Sequence, residues 1–258
     1  MILEKALKNG SNILKNHNIY SHELEAQLLL SEILGLKREY LIVDNQINIT
    51  KKALRKYDLA IERRTKKEPI AYILGKKEFW SEDFKVNKTT LIPRPETELL
   101  IYKVIKYFKN KKINILDIGT GSGCILLSIL KELRFSRGVG LDISTKAIQV
   151  AKINAERLNL LNRSKFKVFN FKDYILGKFD LIVSNPPYIL SKDLKNLSRD
   201  ILSYEPKIAL DGGVDGLDLI KQVIYKSNYL LKKGGLFALE IGYGQYNKVN
   251  NILNSQGF

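Results

Sequence analysis

The stretch I-N-I-L-D-I-G-T-G-S-G-C-I-L-L (113–127) constrains this chain more than any other. It sets an apolar strand against an apolar helix across Gly119, Gly121 and Gly123. Glycine reaches positive φ without strain, and its missing side chain lets a ligand approach the backbone closely. Around this turn, strands alternate with helical segments, with strands expected at 113–118, 137–142, 165–170, 179–184 and 235–241. That order predicts an α/β fold. Its mostly parallel sheet is covered on both faces, and its ligand site lies at the carboxyl ends of the strands.

A chain of 258 residues has room for one such domain and a small appendage. The first 75 residues supply the appendage and read as helices. Ser21 is expected to cap a helix carrying Leu24, Leu28, Leu29 and Ile33 on one face, with Gly35 ending it. Thr50 is expected to start another, with Leu54, Leu59 and Ile61 inward and its lysines and arginines outward. Residues 76–88 predict two short strands around a Ser81-Glu82-Asp83 turn. In L-I-P-R-P-E-T-E (91–98), Pro93 and Pro95 enforce extended backbone and Thr97 can open a helix. The predicted organisation is a helical domain over 1–75 for substrate docking, a hairpin and Pro-rich linker over 76–95, and a catalytic domain over 96–258.

No apolar run reaches the length of a membrane span, and the charged start M-I-L-E-K-A-L-K is unlike a secretory leader. A soluble cytoplasmic protein is therefore expected. The lone Cys124 excludes an internal disulfide, and one thiol with two histidines cannot make a Cys/His zinc site, so no metal is expected. His17 and His22 both lie near the N-terminus, which argues against a histidine base in the strand-rich region. The net charge of +16 is compatible with RNA or ribosome-associated partners. It is spread without a dense basic run, and no specific nucleic acid is expected.

The second strand ends in V-G-L-D-I-S, where the Asp142 carboxylate can accept hydrogen bonds from two ribose hydroxyls. A glycine turn and an acid in this order suit a nucleoside, though a turn without ligand followed by a helix-capping acid has the same pattern. The dinucleotide fingerprint wants Gly or Ala where this chain has Cys124. Asp117 would also add negative charge beside a pyrophosphate. An acid there suits a cationic amino group. S-adenosylmethionine, with an ammonium, a sulfonium, an adenosine and no phosphate, fits better than NAD.

The strand F-D-L-I-V-S stops on N-P-P-Y (185–188). Pro186 and Pro187 end ladder pairing and stiffen the loop. The Asn185 side-chain carbonyl and the Pro186 backbone carbonyl can converge on one NH₂ group and orient it. Tyr188 offers an aromatic face to a planar group, whether amide or base. Such a site aligns a poor, conjugated nitrogen nucleophile and needs neither metal nor histidine. Taken alone, N-P-P-Y is equally a strand-ending turn with Asn as a local cap.

The combination resembles the HemK-type protein-(glutamine-N5) methyltransferases, which modify peptide chain release factors. The resemblance covers almost the whole chain. It rests on E-P-I-A-Y-I-L-G (68–75), E-F-W (78–80), F-K-V-N (84–87), L-I-P-R-P-E-T-E (91–98), the glycine turn, N-P-P-Y, and Y-E-P-K-I-A-L-D-G-G-V-D-G-L-D (204–218). N-P-P-Y alone is shared with amino-methyltransferases of DNA and RNA bases. The resemblance implies a class I, Rossmann-like methyltransferase domain joined by a β-hairpin to a helical N-terminal domain. The substrate would be the glutamine of the Gly-Gly-Gln loop of release factors, and the chain would act as a monomer. Asp117, Gly119, Thr120, Gly121, Ser122, Gly123 and Asp142 would hold S-adenosylmethionine, yielding S-adenosylhomocysteine. Asn185, Pro186, Pro187 and Tyr188 would hold the glutamine amide, with Asn185 also facing the cofactor. Asn170 and Phe171 would contact adenine. Arg94 and Glu96 would brace the rim of the site or form a structural ion pair.

The chain stops at I-L-N-S-Q-G-F, where the family adds two closing antiparallel strands. The strand at 235–241 is then expected at an exposed sheet edge. Two rival readings follow from these features: a nucleic-acid amino-methyltransferase, and a truncated, non-catalytic protein that binds release factors.

Overall fold

The computed structural model describes residues 1–43, 46–175 and 177–258. The chain forms two compact units, one of Met1–Gly75 with Arg199–Tyr204 and the other of Lys76–Ser198 with Glu205–Phe258.

The first unit contains α1 (Leu3–Asn16), α2 (His22–Leu34), α3 (Arg38–Val43), α4 (Lys51–Thr65) and α5 (Ile70–Leu74), together with the short helix Arg199–Tyr204. Leu3, Leu14, Leu29, Leu30, Leu41, Tyr57 and Ile61 form its core. Thr50 caps α4 by accepting from Ala53 N–H at 3.2 Å, and Gly35 ends α2 in the left-handed region at φ 67°. Other expectations are corrected. The Ser21 hydroxyl caps nothing and donates to Glu25 Oε1 at 2.8 Å. Leu24 and Leu59 are exposed, and Arg64 turns inward. The cause is a buried ion pair. Arg64 Nε donates to Glu25 Oε2 at 2.5 Å, and its Nη1 donates to Asp200 Oδ2 at 2.9 Å and to the Glu68 carbonyl at 3.2 Å. A carboxylate on α2 and a guanidinium on α4 thus set the buried faces, which apolar periodicity alone had rotated by about a residue.

In the second unit, β1 (Lys76–Phe79) and β2 (Glu82–Lys85) form an antiparallel hairpin. Its turn is Trp80-Ser81, one residue before the expected one, because Phe79 pairs with Glu82. Both turn residues have positive φ (51° and 58°), as a two-residue type I′ connection requires. The Trp80 N–H donates to Glu98 Oε1 at 2.8 Å, and the indole N–H donates to Glu132 Oε1 at 2.9 Å. Phe79 and Phe84 are fully buried edge-to-face partners in the main core.

The sheet contains β3 (Asn114–Ile118), β4 (Arg137–Asp142), β5 (Ser164–Val168), β6 (Phe179–Ser184) and β7 (Leu231–Leu239). Its order is β5-β4-β3-β6-β7, and every pairing is parallel. The helices of this unit are α6 (Glu98–Tyr107), α7 (Cys124–Glu132), α8 (Thr145–Arg157), α10 (Asp218–Leu230) and α11 (Tyr246–Ser255), with α9 being Arg199–Tyr204. Ile115, Leu181 and Val183 pack with α6, α7 and α8 on one face, and Leu116, Ile118 and Ile182 with Val223 and Leu230 of α10 on the other. This is the class I methyltransferase arrangement of a parallel sheet between helical layers.

The last strand starts earlier than expected, at Leu231 directly after α10, and ends at Leu239. It forms the sheet edge, with Phe237 and Leu239 packed against the α10–α11 cluster around Leu217, Ile220, Ile224 and Val249. Asn154 of α8 ties the end of β2 to the glycine turn. Its Oδ1 accepts from Lys85 N–H at 2.7 Å, and its Nδ2 donates to the Lys85 carbonyl at 3.0 Å and to the Ser122 carbonyl at 2.9 Å.

Glu25→Leu leaves the Arg64 guanidinium with only the Asp200 carboxylate and the Glu68 carbonyl, so it should destabilise the helical unit by roughly 1–3 kcal/mol in urea unfolding, and adding Arg64→Met should recover part of that loss.

Candidate active site

Parallel pairing of β3 with β6 runs from Ile115 opposite Leu181 to Ile118 opposite Ser184. The glycine turn and Asn185 therefore leave adjacent strand ends. The Ser184 hydroxyl donates to the Ile118 carbonyl at 2.7 Å, locking the two ends together. The turn is pinned to β4 as well, since Gly119 and Thr120 N–H both donate to the Leu141 carbonyl at 2.9 Å. Gly119, Gly121 and Gly123 have φ of 76°, 55° and 81°. A Cβ on Gly119 would meet nothing within 4 Å, whereas one on Gly123 would sit 3.2 Å from both Ala151 Cβ and Leu127 Cδ1. Gly119 and Gly121 thus border open space, and Gly123 permits close helix packing. Ser122 is buried beneath the turn, its carbonyl held by Asn154.

Asp117 is completely buried on β3. Its Oδ2 accepts from the Thr120 hydroxyl at 2.6 Å, while Oδ1 has no hydrogen-bond partner among the described residues. Burial pushes its carboxyl up to about 7, and the nearby Asp142 adds to the shift against the Thr120 hydrogen bond. Asp142 is half-buried. One of its oxygens accepts from Gly121 N–H and the other from Ser144 N–H, each at 2.9 Å. Burial raises its pKa too, against those two hydrogen bonds. Each carboxylate oxygen has two lone-pair sites, so Asp142 keeps acceptor capacity for hydroxyl groups.

At the other strand end, Asn185 is half-buried and its Nδ2 donates to Thr97 Oγ1 at 3.3 Å. This explains why Thr97 opens α6 without a side-chain cap: its hydroxyl is engaged at the site. Pro186 is buried and Pro187 and Tyr188 are half-buried. The D-G-G segment backs this loop. Ile189 N–H donates to the Leu210 carbonyl at 3.1 Å, and Gly212 N–H to the Ile189 carbonyl at 2.8 Å. A Cβ at Gly212 would come within 2.8 Å of Tyr188 Cα and 2.9 Å of the Pro187 carbonyl, so only glycine fits. Gln245 completes the clamp, with Nε2 donating to the Tyr188 carbonyl at 3.0 Å and to the Gly216 carbonyl at 3.2 Å.

Asn170 is exposed, and its Oδ1 caps the following turn by accepting from Lys172 N–H at 3.1 Å. Phe171 is half-buried against the cluster of Leu116, Ile118 and Leu141. Arg94 pairs with Glu205 Oε1 at 2.6 Å, and the second oxygen of Glu205 accepts from Ile92 N–H at 3.1 Å. The Y-E-P segment therefore anchors the Pro-Arg-Pro stretch, and Glu96 is left exposed. Glu205, Gln245, the Thr97 hydroxyl and Glu240 were not legible as site residues. Thr97 and Glu205 lie in the quoted 91–98 and 204–218 segments, and Glu240 follows the observed end of β7 at Leu239 as Asn185 follows β6.

These residues fit a nucleoside that carries a positive charge. Asp117 offers a buried acceptor oxygen without a partner, the first two glycines border open space, and Asp142 presents acceptors on the next strand.

A family model described as the PrmC N-terminal domain matches residues 5–75, and one described as a methyltransferase domain matches residues 109–245. A release factor glutamine methyltransferase of Clostridium acetobutylicum is 41% identical over 100% of this chain and 92% of its own length. One of Caulobacter vibrioides is 36% identical over 100% of this chain and 90% of its own length. Among solved structures, the hMettl16 catalytic domain in complex with MAT2A 3'UTR hairpin 6 aligns with a TM-score of 0.58. It is 17% identical, over 82% of this chain and 75% of that one, a likeness of fold alone. With both domain models matched and full-length relatives at this identity, the chain belongs to the release factor glutamine methyltransferase family.

Proposed function

We propose that this protein methylates the side-chain amide nitrogen of the glutamine in the Gly-Gly-Gln loop of peptide chain release factors, with S-adenosylmethionine as donor. The observation that carries the reading is Asn185. It stands at the end of β6 beside the glycine turn, with the donor end of its amide engaged by Thr97 and its acceptor end left for a substrate. S-adenosylmethionine supplies a methyl group on a sulfonium and leaves as S-adenosylhomocysteine. Asp117 would neutralise its amino group, Gly119 to Gly123 would allow its close approach, and Asp142 would accept from its ribose. Asn170 and Phe171 flank the expected adenine position.

An amide nitrogen is a poor nucleophile because its lone pair is conjugated with the carbonyl. Asn185 Oδ1 and the Pro186 carbonyl, each accepting one N–H of the substrate, would fix the nitrogen and turn its lone pair toward the methyl carbon. The Tyr188 ring would hold the amide plane. A rigid loop matters here, since attack needs nucleophile, carbon and leaving sulfur in line. As the N–C bond forms and the methyl–sulfur bond breaks, the nitrogen becomes acidic and one of its protons passes to solvent water, so no prior deprotonation is needed. The helical unit would dock the body of the release factor. We read the chain as a monomer without a specific nucleic-acid partner, working in the cytoplasm, where release factors act. No helix among the described residues is long and apolar enough to cross a membrane.

Peptide mass spectrometry of unmodified release factor, incubated with the protein and S-adenosylmethionine, should find one added methyl on the Gly-Gly-Gln glutamine. Asn185→Ala should lower that rate by at least about 10²-fold while calorimetry finds cofactor binding retained. Methyl transfer to nucleic acid instead would favour the amino-methyltransferase reading.

The buried Asp117 generates a second prediction. A cationic ligand binds the ionised carboxylate, and the carboxyl titrates at about 7. Lowering the pH below that point protonates Asp117, so the affinity for S-adenosylmethionine should fall by roughly tenfold per unit. Asp117→Asn should bind weakly and flatten the slope. An affinity that ignores pH in this range would remove Asp117 from the binding site.

A further inference from the structure

Asn185 can work only if its amide faces the right way. The two ends of a side-chain amide have the same shape and opposite chemistry, Oδ1 accepting and Nδ2 donating. Reversed, Asn185 would present an NH₂ to the substrate NH₂, and both hydrogen bonds that orient the nucleophile would be lost. Thr97 cannot settle the choice, because a hydroxyl both donates and accepts.

Glu240 can. It follows β7, and its N–H donates to the Ser184 carbonyl at 3.0 Å, which sets it alongside Asn185 across the ladder. Its carboxyl is placed close enough to Thr97, Asn185 and Tyr188 for their side chains to stabilise its charge, and among the described residues its buried Oε2 has no hydrogen-bond partner. An ionised carboxylate accepts and never donates. Beside it, the Asn185 amide must turn its NH₂ inward and the Thr97 hydroxyl must point its hydrogen at the acid. The polarity of the whole chain would follow: Asn185 Nδ2 donates to Thr97 Oγ1, the Thr97 hydroxyl would turn its hydrogen to Glu240, and Oδ1 would be left outward.

We propose that Glu240 is a positioning residue whose carboxylate selects the catalytically competent orientation of the Asn185 amide. The inference deepens the proposed amide methylation and rests on it for its kinetic consequences. Protonated Glu240 becomes a donor as well, and the selection is lost. Burial raises its pKa above the ordinary glutamate value, with the negative charge of Glu96 adding to the shift while Thr97, Asn185 and Tyr188 oppose it. The other titratable group touching it is Tyr188, itself raised by burial and by Glu240, with Arg94 pulling it down. The turnover rate should therefore fall on the acid side at a pH above the usual glutamate range.

The test is Glu240→Gln, which keeps shape and can offer NH₂ to Asn185. At saturating S-adenosylmethionine, which removes the Asp117 contribution, kcat should drop by about 10²-fold. Cofactor affinity should be unchanged, and the acid limb of the kcat profile should disappear. An unchanged kcat with the acid limb intact would overturn the proposal, as would a loss of kcat accompanied by loss of folding or cofactor binding. A readout independent of turnover is the side-chain NH₂ resonance of Asn185, assigned by its absence in Asn185→Asp. In the parent protein it should shift as Glu240 titrates, and in Glu240→Gln it should not. If the parent methylates no release factor, the proposed function fails while this titration still stands or falls by itself. A resonance insensitive to pH in the parent refutes the positioning role in either case.

Discussion

The parallel pairing of β3 with β6 is the constraint on which the site depends. The glycine turn and the Asn-Pro-Pro-Tyr loop are more than sixty residues apart in sequence, yet each begins one step beyond a paired residue, Ile118 and Ser184. Both strands are apolar on both faces and lie at the centre of the sheet, so a slip of register would expose core side chains on two layers at once. The relative position of the glycine turn and Asn185 is thus held by the largest cooperative feature of the fold. The Ser184 hydroxyl on the Ile118 carbonyl adds a local tie at the level where chemistry is expected.

Around that pair, the Asn-Pro-Pro-Tyr loop is held from behind. Pro186 and Pro187 cannot join a ladder, so Tyr188 depends on contacts from distant segments: the 210–213 strip, Gly216 and Gln245. The fit at Gly212 leaves no room for a side chain, which gives the D-G-G segment a mechanical role in holding the aromatic face. Arg94 and Glu205 do the same for the extended stretch before Thr97. The result is a site of loops in which Asp117, Asp142, Asn185 and Tyr188 are each held by at least one hydrogen bond from another part of the same unit, as precise alignment of a weak nucleophile requires.

The layered fold was legible because parallel strands buried on both faces write themselves as short apolar runs between turn residues, and all five runs became paired strands. What was not legible came from interactions that periodicity does not encode. Apolar spacing put Leu24 and Leu59 inward along with Leu29 and Ile61, but the Glu25–Arg64 pair shifted the buried faces by about a residue, so that Leu29 and Ile61 stay in the core and Leu24 and Leu59 do not. The hairpin turn was displaced because pairing of Phe79 with Glu82 buries Phe79 and Phe84, and that gain outweighs the poor turn propensity of Trp80. At the site, the residues quoted from local motifs were readable, since glycines and prolines constrain the backbone where they stand. Thr97, Glu205, Glu240 and Gln245 were invisible because each acts on a partner dozens of residues away.

A single electrostatic logic runs through the second unit despite the basic balance of the chain. Asp117, Asp142 and Glu240 all lie at the carboxyl ends of parallel strands, and burial raises the pKa of each. Arg94, which stands nearby, spends its charge on Glu205. A carboxylate kept partly desolvated and unneutralised by protein cations is costly in the free protein. That cost is recovered when a positive ligand arrives, so the arrangement favours a cationic occupant over a phosphate-bearing one by repulsion as well as attraction. The same desolvation raises each acid above its ordinary carboxylate value, to about 7 for Asp117. Acidity should therefore weaken binding through Asp117 and turnover through Glu240 by separate routes, although both originate in one feature, the burial of carboxylates at the strand ends.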